Sequence, residues 1–244
     1  MRESPFSPRK ISNLDLWLDA SDSNTLYDST SGGSSVTANG SAVKRWEDKS
    51  GNSNHATEST NAPTLSTSAK NSLNALNFAT SKYCTCSFAS KTFTQQTVFL
   101  VLQFSTSTAN FGRAFTQTIS GSQDFTISGH YIPLLRNSTT NQIGSYAGGA
   151  SQSNVATVNQ VWYIARARHS GSALTVSLNG ISGISASHTL NRNFDLYRIG
   201  AHNIGGDTAY WNSIISEVIV YTRNLTDSES NLVTNYLNTK WAVY

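Results

Sequence analysis

SIISEVIVYTRNLTDSESNLVTNYLNTKW, Ser213 to Trp241, contains both kinds of regular structure this chain uses. Its first half is a short run rich in Val and Ile, the composition of a β-strand. Its second half changes character. Thr226 and Glu229 form a capping box, in which the hydroxyl accepts from one unpaired amide and the carboxylate reaches back to another. Leu232, Val233, Tyr236 and Leu237 then recur at i, i+1, i+4 and i+5, an apolar stripe that predicts a helix docked on β-structure. No other segment carries a convincing helix signal.

Upstream of this stretch, strand-type runs follow one another between Gly, Asn, Ser and Pro. LDLWLDA, AVKRWED, ALNFATSKYCTC, GRAFTQTIS, DFTISGHYIPLL, QIGSYAG and DLYRIGA are among them. Their spacing is that of a sandwich or barrel. TVFLVLQF, Thr97 to Phe104, is apolar throughout, as a central strand covered on both faces should be. VWYIARARHSGSALTVSLNG, Val161 to Gly180, reads as a hairpin joined around His169 to Ser172. Neither an internal repeat nor a shift in composition marks a linker. The reading is an all-β, two-sheet antiparallel sandwich with a C-terminal α-helix, residues 13–244, preceded by an extended arm, residues 1–12.

A chain of 244 residues can bury a sizeable core without staples. Only 13% of the residues are charged, so solubility rests on Ser, Thr, Asn and Gly. The formal charge of +3 is scattered. Arg166 and Arg168 read as one solvated strand face, and no clustered basic stripe with stacking aromatics predicts nucleic-acid binding. Cys84 and Cys86 lie at i and i+2, a spacing that rarely satisfies disulfide geometry, which predicts two thiols on one sheet face. The first residues hold no apolar segment of the ~7–15 residues a signal peptide needs, and no stretch approaches membrane-spanning length. Synthesis in a reducing cytoplasm, without membrane insertion, is the expectation.

Two loops carry candidate chemistry. In DKSGNSN, Asp48, Ser50, Asn52 and Asn54 place oxygens at every second position. One carboxylate is few for Ca²⁺, which takes ~6–8 oxygens, and an EF-hand would need Gly and Glu where Ser53 and Ser59 stand. An Asx-type turn with Gly51 at positive φ is the leading reading. Ca²⁺ held by Asp48, Ser50 and Asn52, or direct ligand contact by Asn54, are the alternatives. The second loop, HNIGGDTAYW, offers His202, Asp207 and Tyr210 around a Gly-Gly tip, an aromatic with polar groups as sugar sites require. Trp211 is expected in the core.

LDLWLDASDSNTL, then VKRWEDKSGNSNHATES, then SLNALNFATSKY, then the Ser213–Trp241 stretch, fall in an order that resembles one superfamily. The chain is similar to the concanavalin A-like lectin/glucanase superfamily, in particular laminin-G-like jelly rolls of phage and bacterial surface proteins. The resemblance covers most of residues 14–241 and implies two stacked sheets, with Ca²⁺ near the sheet edge in some members. Glucanases of this kind carry alternate carboxylates on one strand. Here no acid lies between Glu58 and Asp124, or between Asp124 and Asp195. Asp15 and Asp19 flank Trp17 at about 13 Å, beyond the ~5–9.5 Å of glycosidase pairs. A non-enzymatic chain requiring no cofactor is therefore expected.

The resemblance implies a structural or adhesive protein of a phage particle, displayed on the virion surface and able to meet host-surface glycans. Its arm, with Arg2, Phe6, Arg9 and Lys10, would anchor it to other virion proteins. A soluble carbohydrate-binding lectin, extracellular or on a cell surface, is the alternative, and a degenerate glycan hydrolase a third reading.

Overall fold

The computed structural model of the chain describes residues 6–79, 81–106, 108, 111–121, 131–136, 141–147, 151–201 and 209–244. The first strands are β1 (Leu14–Asp19), β2 (Leu26–Tyr27), β3 (Arg45–Trp46), β4 (Ala56–Thr57), β5 (Thr64–Lys70) and β6 (Leu73–Asn77). Next come β7 (Cys84–Phe93), β8 (Gln96–Gln103), β9 (Arg113–Thr118), β10 (Tyr131–Arg136), β11 (Gln142–Ala147) and β12 (Ser151–Ala156). The last are β13 (Trp162–His169), β14 (Ala173–Leu178), β15 (Ile181–Ser182), β16 (Ala186–Ser187), β17 (Arg192–Ile199) and β18 (Ile214–Tyr221), followed by helix α1 (Asp227–Trp241).

These strands form two antiparallel sheets. The first runs β15-β14-β13-β8-β18-β6-β5, with β1 beside β18 and β16 beside β14. The second runs β12-β11-β10-β9-β17-β7-β4-β3-β2. One edge of β18 pairs with β8, while the other serves β6 at Ile214–Ile215 and β1 from Glu217 to Tyr221. The expected sandwich with a C-terminal helix is the observed architecture.

The pleat of β8 sorts its apolar run onto two cores, since successive side chains point to opposite faces. Val98, Leu100 and Leu102 enter the interior between the sheets, with Trp46, Phe115, Tyr197 and Trp211. Phe99 and Val101 face outward into a second core beneath α1, with Trp17, Ile164, Ile219 and Trp241. The first sheet is therefore apolar on both sides, which is why TVFLVLQF shows no alternation. Cys84 and Cys86 are buried thiols on the interior face, and burial pushes both thiol pKa values up.

The capping box forms as the sequence predicts, with Thr226 Oγ1 accepting from Glu229 N and Glu229 Oε2 from Thr226 N. The helical face differs. Ser230, Val233, Leu237 and Trp241 are the buried residues, while Leu232 is 49% exposed. A 3-4-4 spacing keeps those four on one stripe, and Leu232, about 100° round the helix from Val233, falls off it. Gly200, at φ +87°, sits where any side chain would strike the Phe78 ring.

Candidate functional site

The Asp48 loop is closed onto the edge of β1. Asp48 Oδ1 accepts from Trp17 N at 2.9 Å and Ser50 N at 2.8 Å, and Oδ2 from Ser50 Oγ at 2.7 Å and Asn54 N at 3.0 Å. Asn52 Nδ2 donates to Leu14 O, and Asn54 Nδ2 to Asp15 O. Gly51 takes φ +103°. Asp48 thus acts as an Asx-turn acceptor for backbone amides, and the Asp48 N–H donates to His55 Nδ1. Asn54 is buried at 6% exposure, which withdraws this sequence candidate from ligand contact. Among the described residues, no group of three or more His, Cys, Asp or Glu side chains is placed to hold a metal ion.

Of the second loop, His202 and Asp207 lie outside the described residues. Tyr210 is half-buried and bridges in parallel to Arg113 on β9. Trp211 is fully buried, edge-on to Phe104, as expected. Arg2 also lies outside the described residues. The rest of the expected arm is engaged with the sandwich. The Phe6 ring lies 5.8 Å from that of Tyr236, Pro8 O accepts from Tyr221 Oη, and Arg9 Nε donates to Lys49 O. Ile11 joins the outer core, and Lys10 is exposed.

The carboxylates of β1 do not share a face. A register shift between Leu14 and Leu16 turns Asp15 toward the second sheet, where it meets Lys91 and accepts from Tyr197 Oη at 2.5 Å. Asp19 faces the helix side, directly across from Glu217. Like charges so placed repel, and cations intervene. Lys240 Nζ lies 2.6 Å from Asp19 and 2.8 Å from Glu217, and Lys49 Nζ bridges Asp19 and Asp22. Glu217 also accepts from Trp17 Nε1, Trp241 Nε1 and Tyr236 Oη.

Burial would raise the Asp19 pKa, but Lys240 and Lys49 outweigh it and hold the carboxyl below its ordinary value. For Glu217, burial and then the facing Asp19 charge win, and its pKa is raised. Two carboxyls driven apart in this way have the electrostatics of an acid–base pair. Glu217, however, has no exposed surface. Its contacts clamp α1 to β1 and β18.

A second titratable cluster closes the hairpin β13–β14. His169 Nδ1 accepts from Gly171 N at 3.0 Å, so its proton sits on Nε2, which donates to His188 Nδ1 at 2.9 Å. Burial first, and then the His188 charge, depress the His169 pKa to about 4. Tyr131 stacks edge-on against the His169 ring.

A groove of about 430 Å³ lies between α1 and the outer face of β13 and β14. The even-numbered residues of β13 point there, so Arg166 and Arg168 line it together with Ser177 of β14. The helix contributes Asn231, Thr234 and Asn235, and Asp227 and Tyr244 complete the lining. Arg166 is half-buried rather than the solvated strand residue its sequence suggests. Its Nη2 donates to Ser177 Oγ at 2.8 Å, and among the described residues its buried Nε has no hydrogen-bond partner. Arg168 pairs with Asp227 Oδ1 at 2.6 Å. Chemically, the groove offers guanidinium, amide and hydroxyl groups in a volume suited to a small ligand. Sequence reasoning missed it because a strand and a helix some 60 residues apart build it.

Fold and groove together define a β-sandwich of jelly-roll type with a polar cleft beside its C-terminal helix. Known structures share that sandwich. A Trypanosoma rangeli sialidase in complex with sialic acid matches with a TM-score of 0.59 at 14% identity, over 94% of this chain and 33% of the sialidase. Domain 4 of a GH43 extracellular arabinanase from Geobacillus stearothermophilus, in complex with arabinotriose, matches with a TM-score of 0.61 at 13% identity, over 90% of this chain and 98% of that domain. The receptor-binding domain of botulinum neurotoxin D matches with a TM-score of 0.59 at 10% identity, over 94% of this chain and 54% of that one.

The chain thus spans about a third of the sialidases' length. No protein-family model matches it, and a search of curated proteins finds no match. These likenesses correct the expectation of a non-enzymatic chain. Sialidases are enzymes, so the missing glucanase carboxylate pattern does not decide against activity in a chain whose sandwich matches about a third of their length.

Proposed function

We propose that this chain is a glycan-binding module whose ligand site is the groove between β13, β14 and α1. The observation that carries the reading is the lining itself: guanidinium donors on the sheet facing neutral amide and hydroxyl groups on the helix. Hydroxyl-rich ligands need several fixed donors and acceptors in a cleft of this size. The structural neighbours support the class, since one is a sialidase with sialic acid and another an arabinanase domain with arabinotriose. A glycan array followed by calorimetry tests it. The expected result is at least one oligosaccharide bound, with binding lost when Asn231→Trp fills the groove from the helix side. Retained binding in that variant would move the site elsewhere.

The finer setting, a phage particle carrying this module toward host-surface glycans, is supported by the sequence resemblance. Residues 1–5 are then the segment to dock on other virion proteins, because Phe6, Pro8 and Ile11 contribute to the domain's own packing. Deleting residues 1–5 should abolish incorporation into particles, and normal incorporation would end that proposal.

A further inference from the structure

We infer, resting on the groove being the glycan site, that the sugar it takes is anionic, with a carboxylate or sulfate group seated on Arg166. The charge count points there. Two guanidinium groups two residues apart on β13 face the groove, and the one acidic side chain among its described lining residues, Asp227, is already paired with Arg168 at 2.6 Å. Arg166 has Ser177 Oγ as its hydrogen-bond partner, and its buried Nε is without one among the described residues.

A guanidinium presents a planar fork of donors matched to a carboxylate or sulfate, and a half-buried one left with a single neutral acceptor is incompletely solvated. Burial and the adjacent Arg168 charge weigh against its charged form, and Asp227 offsets them only in part. An oxyanion entering beside Ser177 would meet the guanidinium where it lines the groove and offset the repulsion between the two arginines. The opposite wall suits the rest of a sugar. Asn231 and Asn235 are exposed, uncharged, and able both to donate to and accept from ring hydroxyls. A neutral sugar would satisfy that wall and leave the Arg166 charge unmatched. A long anionic polymer read by charge alone would need a basic stripe, whereas the cleft offers two arginines, one of them already paired.

The test is calorimetric titration of the full chain with sialyllactose and a hyaluronan tetrasaccharide as carboxylated probes, and a sulfated chondroitin disaccharide as the sulfate arm. Lactose, arabinotriose and an acidic peptide are the comparison ligands. At least one anionic sugar should bind about ten-fold or more tighter than the neutral ones and the peptide. Arg166→Gln should weaken it by about ten-fold or more. Asn235→Asp, on the exposed helix surface, should do the same without disturbing the melting temperature, and carries the test if Arg166→Gln unfolds.

Which anionic arm responds separates carboxylate from sulfate. Equal affinity for neutral and anionic sugars, insensitive to both variants, overturns the inference while leaving a glycan module standing. An acidic peptide bound as tightly as any sugar overturns it as well. Silence toward every sugar overturns this inference and the proposed function together.

Discussion

His169 has no exposed surface, and its protons are arranged by its neighbours. Because Gly171 N–H occupies Nδ1 and His188 Nδ1 occupies Nε2, protonating His169 would break one of two bonds inside the hairpin. In an unfolded chain the imidazole titrates near 6.5, against about 4 here. Between those values the unfolded chain binds more protons, so stability falls as pH drops through that window and is fully present above it. Melting temperature should therefore decline from pH 6.5 toward pH 4.5. The decline should be shallower in His169→Gln, even though that variant is less stable at pH 7. Parallel slopes would assign the acid sensitivity to other groups.

Single residues also mark what the sequence could reveal. Asp48 is legible, because Asx turns are made by neighbours and Ser50 and Asn54 are close in the chain. Glu217 is not, since its partners Trp17 and Lys240 lie 200 and 23 residues away. The setting of Arg166 is hidden for the same reason: alternation shows which face it is on, and says nothing of a helix that covers that face.

Among the elements, α1 separates signal from phase. Its start is written locally in Thr226 and Glu229, so the sequence reading and the structure agree there. Its buried face is set by what it packs on. Leu237→Ala should cost about 2–5 kcal/mol, the range for a buried Leu, because Leu237 is 1% exposed in the outer core. Leu232→Ala should change stability by less than about 0.5 kcal/mol, as for an ordinary surface position. Urea denaturation of the pair checks the assignment, and equal losses would refute it. Apart from two-residue strands, the sequence reading lacked β5 as TLSTSAK and β12 as SQSNVA, and each sits at one end of a sheet. Their Ser, Thr and Asn content suits a solvated edge, so they carry too little apolar pattern to be read as strands. The central β8 and the β13–β14 hairpin, buried or alternating, were legible for the opposite reason.

At the scale of the molecule, fold class was accessible because many short runs agree on it, whereas the groove was not, because it exists only where α1 crosses the first sheet. Sheet order carries one further consequence, and it concerns synthesis. β18 sits between β8 on one edge and β1 and β6 on the other, yet it is the last of the described strands to be made. A ribosome adding ~5–20 residues per second produces β18 roughly 110 residues, or on the order of ten seconds, after β8. Throughout that interval β1 has no strand partner and β8 keeps one edge open, its Phe99 and Val101 uncovered by α1. Nascent chains stalled before Ile214 should thus be cut readily by protease at β1 and β8, and protection should arrive only once Trp241 has cleared the exit tunnel. Early protection would mean the sheet can close without its centre. Residues 214–241 are therefore the piece that closes the sheet: until they emerge, a nascent chain carries an open strand edge and an uncovered apolar face, the surfaces on which unfinished chains aggregate.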